Sequence, residues 1–325
     1  MNKETRKSPE ARDIAIPASG ISAKGPRAAT SGTGTLACAP SDAAPIPPLS
    51  LTAYTAARVQ LQQSGHSLAT TEVLNLQLAN AQARDAVHAR LDVSALIAGL
   101  TARAIAWTGS RDAVAESAQA GVPVLLTSAA TTRADYLRNP SLGRTLSADS
   151  MARLKTTVES PANSDLKLNF NANPAGSSSY DIAFVIADGL SALAVDRHAL
   201  PLLDSTLALL DPAWRSAPIC IVEQARVAIA DPIGQILGAK ISVILIGERP
   251  GLSSPDSLGV YITWNPRPGR TDAVRNCISN IRPEGLSYQE AAKLLHFYLT
   301  ESRRLQRTGT LLKPSTPRRI LAEQQ

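Results

Sequence analysis

Residues 241–259 read ISVILIGERPGLSSPDSLG. The first six belong in a protein core. An apolar run of this length, closed by a Pro-Gly turn, has the pattern of a strand buried on both faces. Glu248 and Arg249 then stand side by side before the turn. Two readings of that ending stay open. The two charges form an ion pair that caps the strand, or Glu248 belongs to a ligand site at the strand's carboxyl end.

Moving outward, the same grammar repeats. YDIAFVIADG (180–189) is a buried strand ending in Asp-Gly, and APICIVEQA (217–225) is a second. LGVYITWNP (258–266) is a candidate fourth strand after ISVILIGER. Helical segments alternate with them. LPLLDSTLALL follows the first strand, with Pro201 as a helix start. DPIGQILGAK is a short helix with Asp231 as N-cap, Pro232 at the first position and Gly238 near its end. LSYQEAAKLLHFYL opens with Ser287 and Glu290 at the spacing of a capping box, and Ala291, Leu294, Leu295, Tyr298 and Leu299 line one face. Apolar strands alternating with helices predict an α/β fold with a mostly parallel sheet, covered on both sides. Ligands of such sheets sit beyond the strands' carboxyl ends. Here those ends are Asp188–Gly189, Glu223–Gln224 and Glu248–Arg249.

The chain before residue 179 reads differently. Residues 51–178 predict a mainly helical domain, in which Leu74, Leu78 and Ala81 recur at helical spacing, as do Val93, Leu96, Ile97 and Leu100. GVPVLLTSA (121–129) is a short strand candidate, and residues 163–179 read as an irregular connector, with the boundary near residue 178. Residues 1–50 hold seven prolines and no aromatic residue, and read as a disordered extension. Residues 179–307 form the α/β domain, and 308–325 a basic tail. GTGTLA (32–37) matches a dinucleotide-binding fingerprint formally, but no strand precedes it and no helix follows, so it is set aside.

The net charge of +6 sits at the ends: six Lys/Arg against four Asp/Glu in residues 1–50, six against two in 301–325, and balance between. A nucleic-acid binder concentrates basic charge on its folded face, so that class is excluded. Three widely spaced cysteines, Cys38, Cys220 and Cys277, argue against a disulfide framework and a zinc knuckle. No window reaches about 18 uninterrupted apolar residues, which argues against a membrane span.

Catalytic constellations are weak. His66, His88, His198 and His296 stand in no metal-ligating spacing and read as surface or partner-contact residues. Asp196 to Pro201 departs from D-x-H-x-x-G, by which some cobalamin domains ligate cobalt, in having Pro201 for the glycine. No cobalt ligand is expected from it. Asp188-Gly189-Leu190-Ser191 reads as a turn with an N-cap serine. Cys277 stands in NCISNIRPEG, read as a polar loop before the last helix, where the residue is either a small filler or a ligand contact.

Together, IADGLSALAV, QARVAIADPIGQILGAKISVILIGERPGLSSPDSLGVYITWNP and NCISNI resemble the small (light) subunit of ethanolamine ammonia-lyase. The likeness is strong over roughly 180–300 and visible in QARDAVHARLD (82–92) and YLRNPSLGRTL (136–146). It implies a Rossmann-like α/β domain after an N-terminal helical region, in one subunit of an adenosylcobalamin-dependent lyase that converts ethanolamine to acetaldehyde and ammonia. It implies a large catalytic subunit as hetero-oligomeric partner, cobalamin kept base-on, and catalytic groups outside this chain. The family's cofactor contacts carry over to Val227, Glu248 and Cys277, with Arg249 left as the structural partner of Glu248. Family members reside in bacterial microcompartments or the cytoplasm, and the 1–50 extension is a candidate tag for the shell. LQQSGHS (61–67) and Asn139-Pro140-Ser141 depart from the family pattern, which bears on contacts with the large subunit. A free-standing α/β nucleotide-binding domain and a microcompartment scaffold or targeting subunit are the alternatives. Against the former, no Gly-rich loop follows the first strand.

Overall fold

The computed structural model describes residues 61–108, 123–159 and 180–314. The expectations for residues 1–50, the 163–179 connector, the boundary near 178 and the end of the basic tail lie outside them.

A hairpin of β1 (Gln63–Ser64) and β2 (Ser67–Leu68) comes first. The main sheet has six strands: β3 (Val124–Thr127), β4 (Ile182–Ala187), β5 (Cys220–Glu223), β6 (Ile241–Gly247), β7 (Leu258–Trp264) and β8 (Arg275–Ile281). Their spatial order is β3-β5-β4-β6-β7-β8. The pairs β3–β5, β5–β4 and β4–β6 are parallel, and β7 runs antiparallel to both its neighbours. The expected α/β architecture with a mostly parallel sheet is therefore present. The GVPVLLTSA segment supplies β3, which pairs with β5. Residues on both sides of position 178 thus share this sheet.

Seven helices are described: α1 (Thr70–His88), α2 (Val93–Thr108), α3 (Arg133–Arg138), α4 (Ala148–Glu159), α5 (Ala192–Leu207), α6 (Ala230–Ile236) and α7 (Tyr288–Leu305). Alternate strand residues point to opposite faces, so the continuous apolar runs feed two cores. On one face Phe184, Ile186, Val243 and Leu245 meet Leu96 and Leu100 of α2, Leu202 and Leu203 of α5, and Leu295 and Leu299 of α7. On the other, Val185, Ala187, Ile244 and Ile246 meet Leu154 of α4, Ile229 and Ile233. Burying each large aliphatic side chain contributes about 1.5–3 kcal/mol.

Three local expectations need correction. Pro201 lies inside α5 rather than starting a helix. The helix's buried face runs without interruption through Ala199, Leu202 and Leu203, and that packing outweighs the roughly 3 kcal/mol cost of an interior proline. Asp231 is not an N-cap. A 3-10 turn at Val227–Ile229 leads into α6, the cap position is Ile229, and Asp231 is buried in the first turn. Cys277 lies within β8 rather than a loop. In α1, Leu74 and Leu78 are 58% and 59% exposed, whereas Ala79 and Ala86 are buried, so the apolar spacing marks the helix but not its buried side. The Ser287–Glu290 capping box forms, and Ser191 caps α5 by accepting from the Ala194 amide.

Candidate functional site

The carboxyl ends of β5, β4 and β6 lie next to one another. Gly189, just past β4, has φ +58, and a Cβ there would overlap the Gly247 carbonyl oxygen at the end of β6. A Cβ on Gly247 would in turn overlap the Ser191 carbonyl. The Leu190 amide donates to that Gly247 oxygen at 2.9 Å. Two glycines thus lock the strand ends together, and Glu248 follows directly.

Asp188 joins the other pair of ends. Its buried carboxylate accepts from the Gln224 amide at 2.9 Å and the Ala225 amide at 3.0 Å, and pairs with Arg133 Nη1 at 3.2 Å. Gln224 has φ +55, a left-handed conformation that these bonds hold in place. Burial pushes Asp188 up to about 6, although both amides and Arg133 pull it down. The segment after β5 is gripped from outside as well. Tyr136 Oη donates to the Ala225 carbonyl at 2.9 Å, and the Arg226 amide donates to the Gly143 carbonyl at 2.7 Å. The Tyr136 ring lies near two guanidiniums, of Arg226 at 4.4 Å and Arg133 at 4.7 Å. YLRNPSLGRTL therefore shapes the turn that carries Val227, which is half-buried against the second core cluster.

Glu248 is half-buried and Arg249 is exposed. The expected ion pair between them is absent among the described residues. The Glu248 carboxylate instead accepts from Ser257 Oγ, from Ser279 Oγ at 2.5 Å and from the Asn280 amide at 3.1 Å. A β-bulge explains the aim of the last two. Leu258 pairs with Ile281 and Val260 with Ile278, so Ser279 and Asn280 together oppose Gly259. Asn280 takes φ +59 there. Bulges re-aim side chains in this way. Gly259 makes room: a Cβ on it would come within 2.8 Å of Glu248 Oε1. A carboxylate has about four acceptor positions, of which three are filled here, so one is left.

Cys277 stands opposite Tyr261 in the β7–β8 ladder, two residues from Ser279 and on the same face. It is exposed. Burial of the thiol, with the Glu248 carboxylate adding to it, raises its pKa, while a hydrogen bond with Tyr261 opposes the rise. The thiol is therefore neutral near pH 7. Glu248 and Cys277 are brought together on the open face of β7 and β8. Val227 lies just beyond the end of β5, with β4 and β6 between that strand and β7, and is linked to them through the Asp188–Gly189 and Gly247 contacts.

The loop from Glu248 to Ser257 is anchored at its far end. Ser191 Oγ donates to the Pro255 carbonyl at 2.9 Å, and Asp256 pairs with Arg197 at 2.7 Å and Arg282 at 3.6 Å. His198 Nε2 is 3.5 Å from Asp256, and its Nδ1 hydrogen-bonds Tyr288 Oη at 2.8 Å. His198 is thus a buried residue of this anchor, not a surface one. Burial lowers its pKa against the pull of Asp256. Ser257, Ser279, Asn280, Arg133, Tyr136 and Tyr261 escaped the sequence reading, and Asp188 figures there only as part of a strand-end turn. Alternation in C-I-S was the one available signal, and it needed the strand assignment of β8.

This fold is that of an α/β protein whose strand ends are locked by close glycine contacts and whose Glu248 carboxylate is fixed beside the exposed stretch of β8. The family model described as "Ethanolamine ammonia-lyase light chain (EutC)" matches residues 47–313. A curated relative from Azotobacter vinelandii, an ethanolamine ammonia-lyase small subunit, is 49% identical over 261 residues, 80% of this chain and 85% of the relative. Small subunits of the same name from Pseudomonas fluorescens Pf-5 (48% over 271 residues, 82% and 86%) and Pseudomonas aeruginosa LESB58 (48% over 275 residues, 84% and 89%) are similar. The chain belongs to the ethanolamine ammonia-lyase light chain family.

Proposed function

We propose that this chain is the small subunit of an adenosylcobalamin-dependent ethanolamine ammonia-lyase, a carbon–nitrogen lyase, and that it helps enclose the cofactor against a large catalytic subunit. The family match and the near-50% relatives support the subunit assignment. The observation that carries the cofactor role is Glu248: a carboxylate fixed by three donors, with one acceptor position left, above a glycine on a half-open sheet face.

The residues present suit a large, flat cofactor edged with amides. Glu248 would accept from a side-chain amide or a ribose hydroxyl. Val227 would contribute apolar contact, and the neutral Cys277 a small uncharged one. Bound base-on, cobalamin would supply the homolytic cobalt–carbon chemistry, and this chain would hold it in place and exclude water. The α/β unit is then the Rossmann-like domain that the resemblance implies. Residues 1–46 precede the family match, so most of the 1–50 extension lies apart from the shared subunit, and the role proposed for it is that of a microcompartment tag. Deleting residues 1–50 is expected to leave activity intact and abolish encapsulation; retained encapsulation would refute a tag role, and lost activity would point instead to assembly.

The test uses the complex reconstituted from this chain and an ethanolamine ammonia-lyase large subunit. Omitting either chain is expected to abolish adenosylcobalamin-dependent acetaldehyde formation. Glu248→Ala is expected to raise the KM for adenosylcobalamin about 10-fold or more, the scale of one hydrogen bond to a charged acceptor. Unchanged KM and kcat would sink the role of Glu248.

A further inference from the structure

Asp231, expected to cap a helix, does something else. Its carboxylate is buried and meets Arg275 of β8 through two bonds, Arg275 Nη1 to Oδ1 at 2.8 Å and Nη2 to Oδ2 at 2.6 Å. The two side chains are 1% and 2% exposed. Arg275 Nη1 also donates to Thr263 Oγ1 at 2.8 Å, Nη2 to the Arg270 carbonyl at 3.2 Å, and Nε to Asp272 Oδ1 at 3.3 Å. The five N–H donors of the guanidinium are all engaged, which fixes its plane. A buried ion pair is a weak stabiliser, because desolvation offsets the attraction. Its geometric effect is larger. Two parallel bonds fix distance and angle together.

The placement of the pair matters. Asp231 lies in α6, four residues after Val227, with one 3-10 turn between. Arg275 lies two residues before Cys277 on the same side of β8, and Thr263 stands opposite it, next to Tyr261 on β7. The pair therefore closes one end of the open β7–β8 face and ties the element bearing Val227 to the strand bearing Cys277. Along that strand, Ser279 and Asn280 hold Glu248.

We infer that Asp231 and Arg275 are positioning residues for the cofactor face, setting the spacing between the Val227 turn and the Cys277–Asn280 strand. This rests on the cofactor reading above. The pair touches no reacting atom. It acts through the residues it spaces, so its loss should weaken cofactor capture and leave turnover of the loaded enzyme near native.

The decisive variant is the apolar double replacement Asp231→Leu with Arg275→Met in the reconstituted complex. Replacing both partners avoids leaving a buried charge unpaired and is often neutral or better for stability. The assembled complex is expected to keep its melting temperature within a few degrees. Its KM for adenosylcobalamin should rise five-fold or more, with kcat at saturating cofactor within two-fold. A native KM in the assembled double variant would overturn the inference, because a purely structural pair is fully replaced by an apolar one. Should the double variant fail to assemble, Arg275→Lys decides on the same readout. It keeps the charge and loses the fork, so a raised KM supports positioning and a native KM refutes it. Glu248→Ala separates the two claims. If it raises KM while the pair's variants do not, only the positioning role fails; if it leaves KM native, the cofactor reading itself fails.

Discussion

Gly189→Ala tests the lock between the ends of β4 and β6. The residue sits at φ +58, where a side chain costs roughly 1–2 kcal/mol. Its Cβ would also overlap the Gly247 carbonyl oxygen, which belongs to backbone and cannot swing aside. Relieving that overlap moves a strand end in a packed sheet, at about 1–3 kcal/mol. It also stretches the 2.9 Å bond from the Leu190 amide to the same oxygen, worth about 1 kcal/mol. The expected loss is roughly 3–6 kcal/mol, a large part of the usual 5–15 kcal/mol of a folded protein. Gly269→Ala is the matched control. It also has positive φ, +89, but nothing lies within 4 Å of its Cβ position, so about 1–2 kcal/mol is expected. Urea unfolding of the small subunit, followed by circular dichroism, compares the two. Equal shifts of the midpoint would refute the close-approach argument and leave backbone conformation as the whole effect. Because Gly247 precedes Glu248, the surviving fraction of Gly189→Ala should also bind adenosylcobalamin more weakly in the complex.

Asp188 has a folded pKa of about 6, above its unfolded value near 4. Between those values the folded state binds more protons than the unfolded one, so this group's contribution falls as pH rises from about 4 to 6, by up to roughly 3 kcal/mol. Unfolding midpoints of Asp188→Asn across that window should lack this slope, and an unchanged slope would contradict the assignment. Asp181 and Asp256, held below the usual carboxylate range, act with the opposite sign: their contribution is present above about pH 4 and is lost as pH falls further. Ser287→Ala removes the cap of α7 and should cost about 1 kcal/mol, read as a lower melting temperature, whereas Ser287→Gly should cost only a few tenths. Equal losses in the two would argue against the capping bond.

Much of the fold was legible because it follows from short-range pattern. The runs IAFVIA, CIVE and ISVILIG could be buried only as strands covered on both faces. Gly238, Ser191 and the Ser287–Glu290 spacing marked helix ends through local backbone chemistry. Reading failed where a local preference met a stronger distant partner. Pro201 normally starts helices, yet α5 runs through it because the buried face continues. Asp231 has the chemistry of a cap, yet Arg275, 44 residues later, takes its carboxylate. Glu248 and Arg249 are neighbours in sequence, but three donors from Ser257, Ser279 and Asn280 are nearer in space.

The sequence by itself determined the α/β alternation, the strand ends where a ligand could sit, and, through the G-E-R-P-G and N-C-I-S-N-I motifs, the family. These depend on residue type and spacing along the chain. The tertiary structure alone decided that the edge of the sheet turns antiparallel, that a bulge at Ser279–Asn280 holds Glu248, and that Asp231 and Arg275 close one end of the open face. Those outcomes depend on pairing between segments tens of residues apart. Geometry and desolvation choose such partners, and neither is written in any local window.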